Sequence, residues 1–170
     1  MKSQSGIYLL PVLVLIANIA WAQPLPCDRN MIPKTDQDLL EQFWADFKTA
    51  INNKDRKGMS ALIQFPFNCD YCIKDSSLEN KKSYLHISKR LFRKAQYKIF
   101  LDPRLATYVN TKTSLLDILN FSSSDDGMAC EINFSYISMP QSKSWEGKQH
   151  FFTLKKRSGR FLITSAWSVP

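Results

Sequence analysis

LLEQFWADFKTAINNKDRKGMSALIQFPF, residues 39–67, carries the longest helical pattern in the chain after its N-terminal leader. Leu40, Phe43, Trp44, Phe47, Ala50 and Ile51 recur at i, i+3, i+4 and i+7 and make one apolar stripe. Thr35 or Asp36 is expected to cap the start, and Asp36 and Asp38 put negative charge at the positive dipole end. Asn52 and Asn53 weaken the pattern, and Gly58 marks the break. Met59, Leu62 and Ile63 form a second, smaller apolar face. Pro66 has no N–H to give to a ladder, so the strand starting at Phe65–Phe67 is expected at a sheet edge or a bulge. The stretch therefore predicts a long helix, a short helix, and the first strand of a sheet that the long helix covers.

Upstream, Lys2 is the only charge before an apolar run from Ile7 to Ala20, and Ala20-Trp21-Ala22 has small residues at both ends. This predicts a signal peptide, residues 1–22, cleaved after Ala22. Pro11 interrupts the run and shortens it below a membrane span. The expected location is periplasmic or secreted. The 148 residues that remain suffice for one domain with a real core. The formal net charge of +8 drops by one lysine to +7 with the leader removed. That excess favours weak contact with anionic surfaces, and export argues against nucleic acid as a partner.

Residues 23–35 contain three prolines and little period, and read as an extended leader. Asn68 to Lys82 reads as a polar loop. From Ser83, helical spacing of Leu85, Ile87, Leu91, Phe92, Ala95 and Ile99 predicts a helix ending at Asp102-Pro103. The same pair can start a short helix with Leu105, Tyr108 and Val109 inside. Leu115 to Phe121 is read as a strand, and Ser122 to Gly127 as a turn. Met128 to Met139 alternates, with Cys130, Ile132, Phe134 and Tyr136 on one face. Gln149–Lys156 and Arg160–Trp167 are strands joined by a tight turn at Gly159. Phe161, Ile163, Ser165 and Trp167 are placed on one face. Helices in front and antiparallel strands behind give an α+β fold of one domain, residues 36–170.

This order resembles the NTF2-like superfamily, in which a strongly curved antiparallel sheet wraps a long N-terminal helix into a cone. The resemblance runs from about Asp36 to Trp167. It rests on the helix followed by LIQFPF (Leu62–Phe67), on YKIFLDPRL (Tyr97–Leu105), and on the closing hairpin FTLKKRSGRFLITSAW (Phe152–Trp167). It implies a space between sheet and helices, which such proteins use for isomerisation, dehydration, binding or dimer formation. Fold therefore does not fix function.

Four cysteines in an exported chain point to disulfides, with three full pairings open. Cys69–Cys72 with Cys27–Cys130 is one economical arrangement. A long bridge from the Cys69/Cys72 pair to a distant cysteine is the other. Redox activity at Cys69-Asp70-Tyr71-Cys72 would need a helix start after it to lower a thiol pKa, and Ile73 to Ser77 is a poor one. No further ligands stand at metal spacing, so neither metal nor cofactor is expected.

The only imidazoles, His86 and His150, are expected at the surface. Asp46, Asp117, Glu131 and the Asp125-Asp126 pair give no inward acid. Large aromatics ordinarily fill a core. In the alternative, Trp44, Phe47, Tyr136 and Trp167 line an apolar pocket, with polar tips on Tyr136 and Trp167. The cations at Lys89, Arg90, Arg93, Lys94 and Lys98, and at Lys155, Lys156, Arg157 and Arg160, read first as solvated faces. The expectation is thus a non-enzymatic exported domain that binds a small apolar ligand or a protein partner, including a second copy of itself. An isomerase- or dehydratase-type enzyme, or an envelope interaction module using the basic faces, is the alternative.

Overall fold

A computed structural model describes residues 27–70, 72, 86–94, 96–123, 130–139 and 148–169. The expected signal peptide, the first residues of the expected leader, and the segments 73–82, 83–85 and 124–127, read from sequence as loop, helix start and turn, lie outside them. The fold is α+β, with four α-helices and one six-stranded sheet among the described residues.

Helix α1 (Lys34–Asn52) starts after Pro33, before the expected cap, and buries the predicted stripe. It ends at Asn53, not at Gly58. Lys54 takes a left-handed φ of 50°, and Asp55 N–H returns to the Ala50 carbonyl. Such a turn satisfies the last carbonyls of a helix. Gly58 lies inside α2 (Arg56–Ala61), where the Asp55 side chain caps Lys57 N–H. A Cβ at Gly58 would meet Asp55 Oδ2 at 2.5 Å.

Strand β1 (Ile63–Cys69) lies between the short edge strand β2 (His86–Ile87) and β6 (Arg160–Val169). The register of β1 on β6 shifts between Ile63 and Asn68, at the Phe65-Pro66-Phe67 run. Pro66 thus sits in a bulge, where its missing N–H costs nothing. The sheet order is β2-β1-β6-β5-β4-β3, with β3 Asn120–Ser123, β4 Cys130–Met139 and β5 Lys148–Arg157. Because β1 runs parallel to β6, the sheet is mixed, which corrects the expectation of an antiparallel one. Ser158 and Gly159, both at positive φ, close the β5–β6 hairpin in the two-residue turn suited to strand twist.

Two other expectations fail because of contacts distant in sequence. The single helix from Ser83 is instead β2, then α3 (Lys89–Lys94), then a 3-10 helix, Gln96–Leu101. Ile87 pairs with Phe67 in the sheet, and Ser88 caps α3 through Leu91 N–H. Leu115 to Ile118 is a turn, not a strand, because the Glu41 carboxylate accepts from Leu115 N–H, Leu116 N–H and the Ser114 hydroxyl. The strand begins only at Asn120. Asp102 does cap α4 (Pro103–Thr111) through Arg104 N–H, with Pro103 in the first turn.

Both disulfides of the more local pairing form. Cys69 joins Cys72, and Cys27 joins Cys130 across 103 residues. The second bridge ties the segment before α1 to the start of β4.

Candidate functional site

The face of the sheet toward α1 is filled with rings. Phe47 lies 5.5 Å from Phe134, 6.1 Å from Phe100 and 6.2 Å from Phe152, centroid to centroid, and all four are fully buried. Trp44 meets Phe134 edge-on at 5.5 Å, and its indole N–H donates to the Lys112 carbonyl. Trp44 and Phe47 are thus parts of a packed core, held by contacts with one another.

Tyr136 belongs to the same face, further along β4. It stacks on Phe152, and its hydroxyl donates to Asp102 Oδ2 at 2.9 Å. Opposite it on β5 stands His150, only 8 % exposed, with ring centroids 5.3 Å apart. His150 Nε2 lies 2.7 Å from Ser138 Oγ. Tyr108 of α4 closes the group beside Tyr136, and burial raises its phenol pKa. Asp102, Tyr136, Ser138 and His150 therefore make a polar end to an aromatic interior.

This corrects two readings. His150 is buried and faces inward, and Asp102 is an acid directed at an inward tyrosine. Extending the two-residue period from Phe152 back to His150, and from Tyr136 on to Ser138, would have found the pair. His86 is exposed, but on β2 instead of a helix, with Nδ1 2.7 Å from Asn68 Oδ1.

Trp167 is elsewhere. Opposite Thr153 and Leu154, β6 carries Ser165 and Ile163, so Thr164 is an extra residue. That bulge reverses the alternation of everything after it. Ala166 takes the inner face, and Trp167 turns outward to stack on Phe151 at 4.0 Å, with an interplanar angle of 3°. On β4, Ile137 is 60 % exposed.

Two depressions open to solvent. One, of 340 Å³, has α1 on one wall (Leu39, Gln42, Phe43, Asp46) and α2 with its flanks and the start of β6 on the other (Asp55, Ala61, Leu62, Arg160, Phe161). Its floor is apolar. Its rim carries Gln42, which donates to Asp46, together with Asp55 and Arg160. The other, of 210 Å³, lies against Cys69, Asp70, His86 and Trp167. Asp70 accepts from Ser168 N–H, yet its pKa is raised above 3.8, mainly because burial removes water from the carboxylate.

The two basic groups differ. At the β5–β6 tip, Lys156 pairs with Asp36, Lys155 with Glu131, and Arg157 donates to Gln64. Comparison of the chain with family models, with curated proteins and with solved structures returned no match.

Proposed function

We propose that this chain is an exported binding domain of the NTF2-like kind, without catalytic activity, whose ligand sits beside the cone instead of within it. The filled interior carries the reading: Phe47, Phe100, Phe134 and Phe152 occupy the space that a hollow cone would leave to a ligand. The roomier of the two open depressions described is the cleft between α1, α2 and the start of β6. Its size lies at the low end for small-molecule sites, and its apolar floor with a few polar rim groups is the usual composition of one. The ligand class is a small, mostly apolar molecule, or one or two apolar side chains of a protein partner. A helix laid across a strongly bent sheet is the NTF2-like element of the proposal, supported by the ring contacts from α1 to β4 and β5. Two disulfides fit an oxidising compartment outside the cytosol, periplasmic or secreted. The half-exposed Phe151–Trp167 stack and Ile137 offer a second copy an apolar patch.

Native mass spectrometry after gentle purification tests this. A small-molecule adduct or a dimer is expected, and Ala61→Trp, which fills the cleft from an exposed position, should abolish the adduct. A clean monomer without adduct, or an adduct indifferent to Ala61→Trp, would overturn the proposal.

An enzyme of the isomerase or dehydratase type is favoured by one observation, the inward His150 and Tyr136–Asp102 pair. A general base must reach its substrate. His150 and Ser138 are instead almost closed off from solvent and engage each other. Proton exchange of an enolisable ketone that is lost in a folded His150→Gln variant would restore the enzyme reading.

A further inference from the structure

The cations of α3 and the 3-10 helix after it are a different surface from the cleft. The i, i+1, i+4, i+5 spacing of Lys89, Arg90, Arg93 and Lys94 sets all four on one side of α3. Phe92, fully buried, holds the other side against Phe67 and Phe100. Lys98 continues the exposed side. The guanidinium of Arg56, in the first turn of α2, lies over the Tyr97 ring at 5.3 Å and brings α2 to the same region.

No acid occurs between His86 and Leu101. Asp102, the next carboxylate after this run, caps α4 and holds Tyr136, and Asp55, beside Arg56, caps α2. Among the described residues, none of the five lysines and arginines from 89 to 98 forms an ion pair with a carboxylate, whereas Lys155 and Lys156 at the hairpin tip do. These five cations thus form a group on one face with no carboxylate paired to them among the described residues. Leu101, at the end of the 3-10 helix, is 41 % exposed between Lys98 and Arg104.

We propose that this face docks on the surface of an anionic phospholipid membrane. Exposed cations grouped on one side match a negatively charged headgroup layer, and each contributes an attraction that decays within a Debye length. Leu101 decides between a membrane and a soluble polyanion. An apolar side chain among the cations gains nothing against a solvated polymer, but it can bury itself at the headgroup–acyl boundary.

The test is co-sedimentation with vesicles of the oxidised protein beginning at Gln23, without the apolar leader. Binding is expected to phosphatidylcholine vesicles containing phosphatidylglycerol, and to be lost with phosphatidylcholine alone. Arg90→Gln/Arg93→Gln/Lys94→Gln should weaken it about a hundredfold, at roughly fivefold per cation. Leu101→Ser should weaken it severalfold, and Lys155→Gln/Lys156→Gln should leave it unchanged. All these positions are exposed or half-exposed, and an unaltered melting curve verifies the fold of each variant. Equal binding to neutral vesicles, an unaffected triple variant, or competition by soluble polyphosphate with no effect of Leu101→Ser would each overturn the proposal.

Discussion

Replacing Cys27 and Cys130 together by alanine should lower the thermal midpoint further than replacing Cys69 and Cys72. A bridge restricts the unfolded chain in proportion to the logarithm of the loop it closes. For the separation of 103 residues between Cys27 and Cys130 this amounts to about 5 kcal/mol; for the separation of 3 between Cys69 and Cys72 it is about 2 kcal/mol. Packing narrows the difference. Cys69 is fully buried and Cys72 nearly so, and losing their sulfurs adds about 1 kcal/mol to the second variant, whereas Cys27 is half-buried and Cys130 exposed, and they add little. The net gap is about 2 kcal/mol, which at 2–4 °C per kcal/mol for a chain of this size is about 6 °C. Calorimetry of the two double variants and the parent, all under oxidising conditions, gives the comparison. Equal midpoints, or the larger loss in the Cys69/Cys72 variant, would refute the reasoning and assign the main stabilisation to native contacts around the short bridge.

Phe47→Ala opens the centre of the ring cluster and should cost about 3–5 kcal/mol in urea unfolding. Glu41→Ala leaves Leu115 N–H without its acceptor and Leu116 N–H with Ser114 Oγ alone, and should cost about 1–3 kcal/mol, with hydrogen exchange rising first at Leu115–Ile118. Asp102→Ala removes a helix cap and an acceptor of the Tyr136 hydroxyl; a loss of about 2–3 kcal/mol is expected, and Tyr136→Phe in the same background should add less than it does alone. Asp70→Asn tests a sign. A carboxyl whose folded pKa is raised stabilises the fold fully below the unfolded value of 3.8, and that contribution is lost as pH rises through the folded pKa. The variant, whose amide oxygen can still accept from Ser168, should therefore melt above the parent at neutral pH, with the gap closing on acidification toward 3.8.

Period alone carried much of the architecture. The stripe of α1, the Asp102-Pro103 helix start, the alternation of β4 and the Gly159 hairpin all follow from spacing within a few residues. What escaped is decided by contacts distant in sequence. Glu41 holds the Leu115 turn across more than seventy positions, and nothing in LLDILNF itself records that. Pairing of Ile87 with Phe67 turned a helical-looking segment into an edge strand. The extra Thr164 moved Trp167 to the outer face, and a strict two-residue count has no means of registering one added position. His150 is a different case: its place at a strand start leaves both faces open in sequence, and only the two-residue step back from Phe152 turns it inward.

The order of the strands has a consequence for how this chain is made. β6 follows every other strand in sequence, yet it lies in the interior of the sheet, with β1 on one side and β5 on the other. During synthesis, then, β1 can hydrogen-bond only to β2 until some hundred further residues have emerged. Trimming at the carboxyl end would not fray a margin; it would split the sheet in two and strip one side of α1. Nascent chains stalled before Arg160 should accordingly be degraded as unfolded polymer and not persist as shortened native protein.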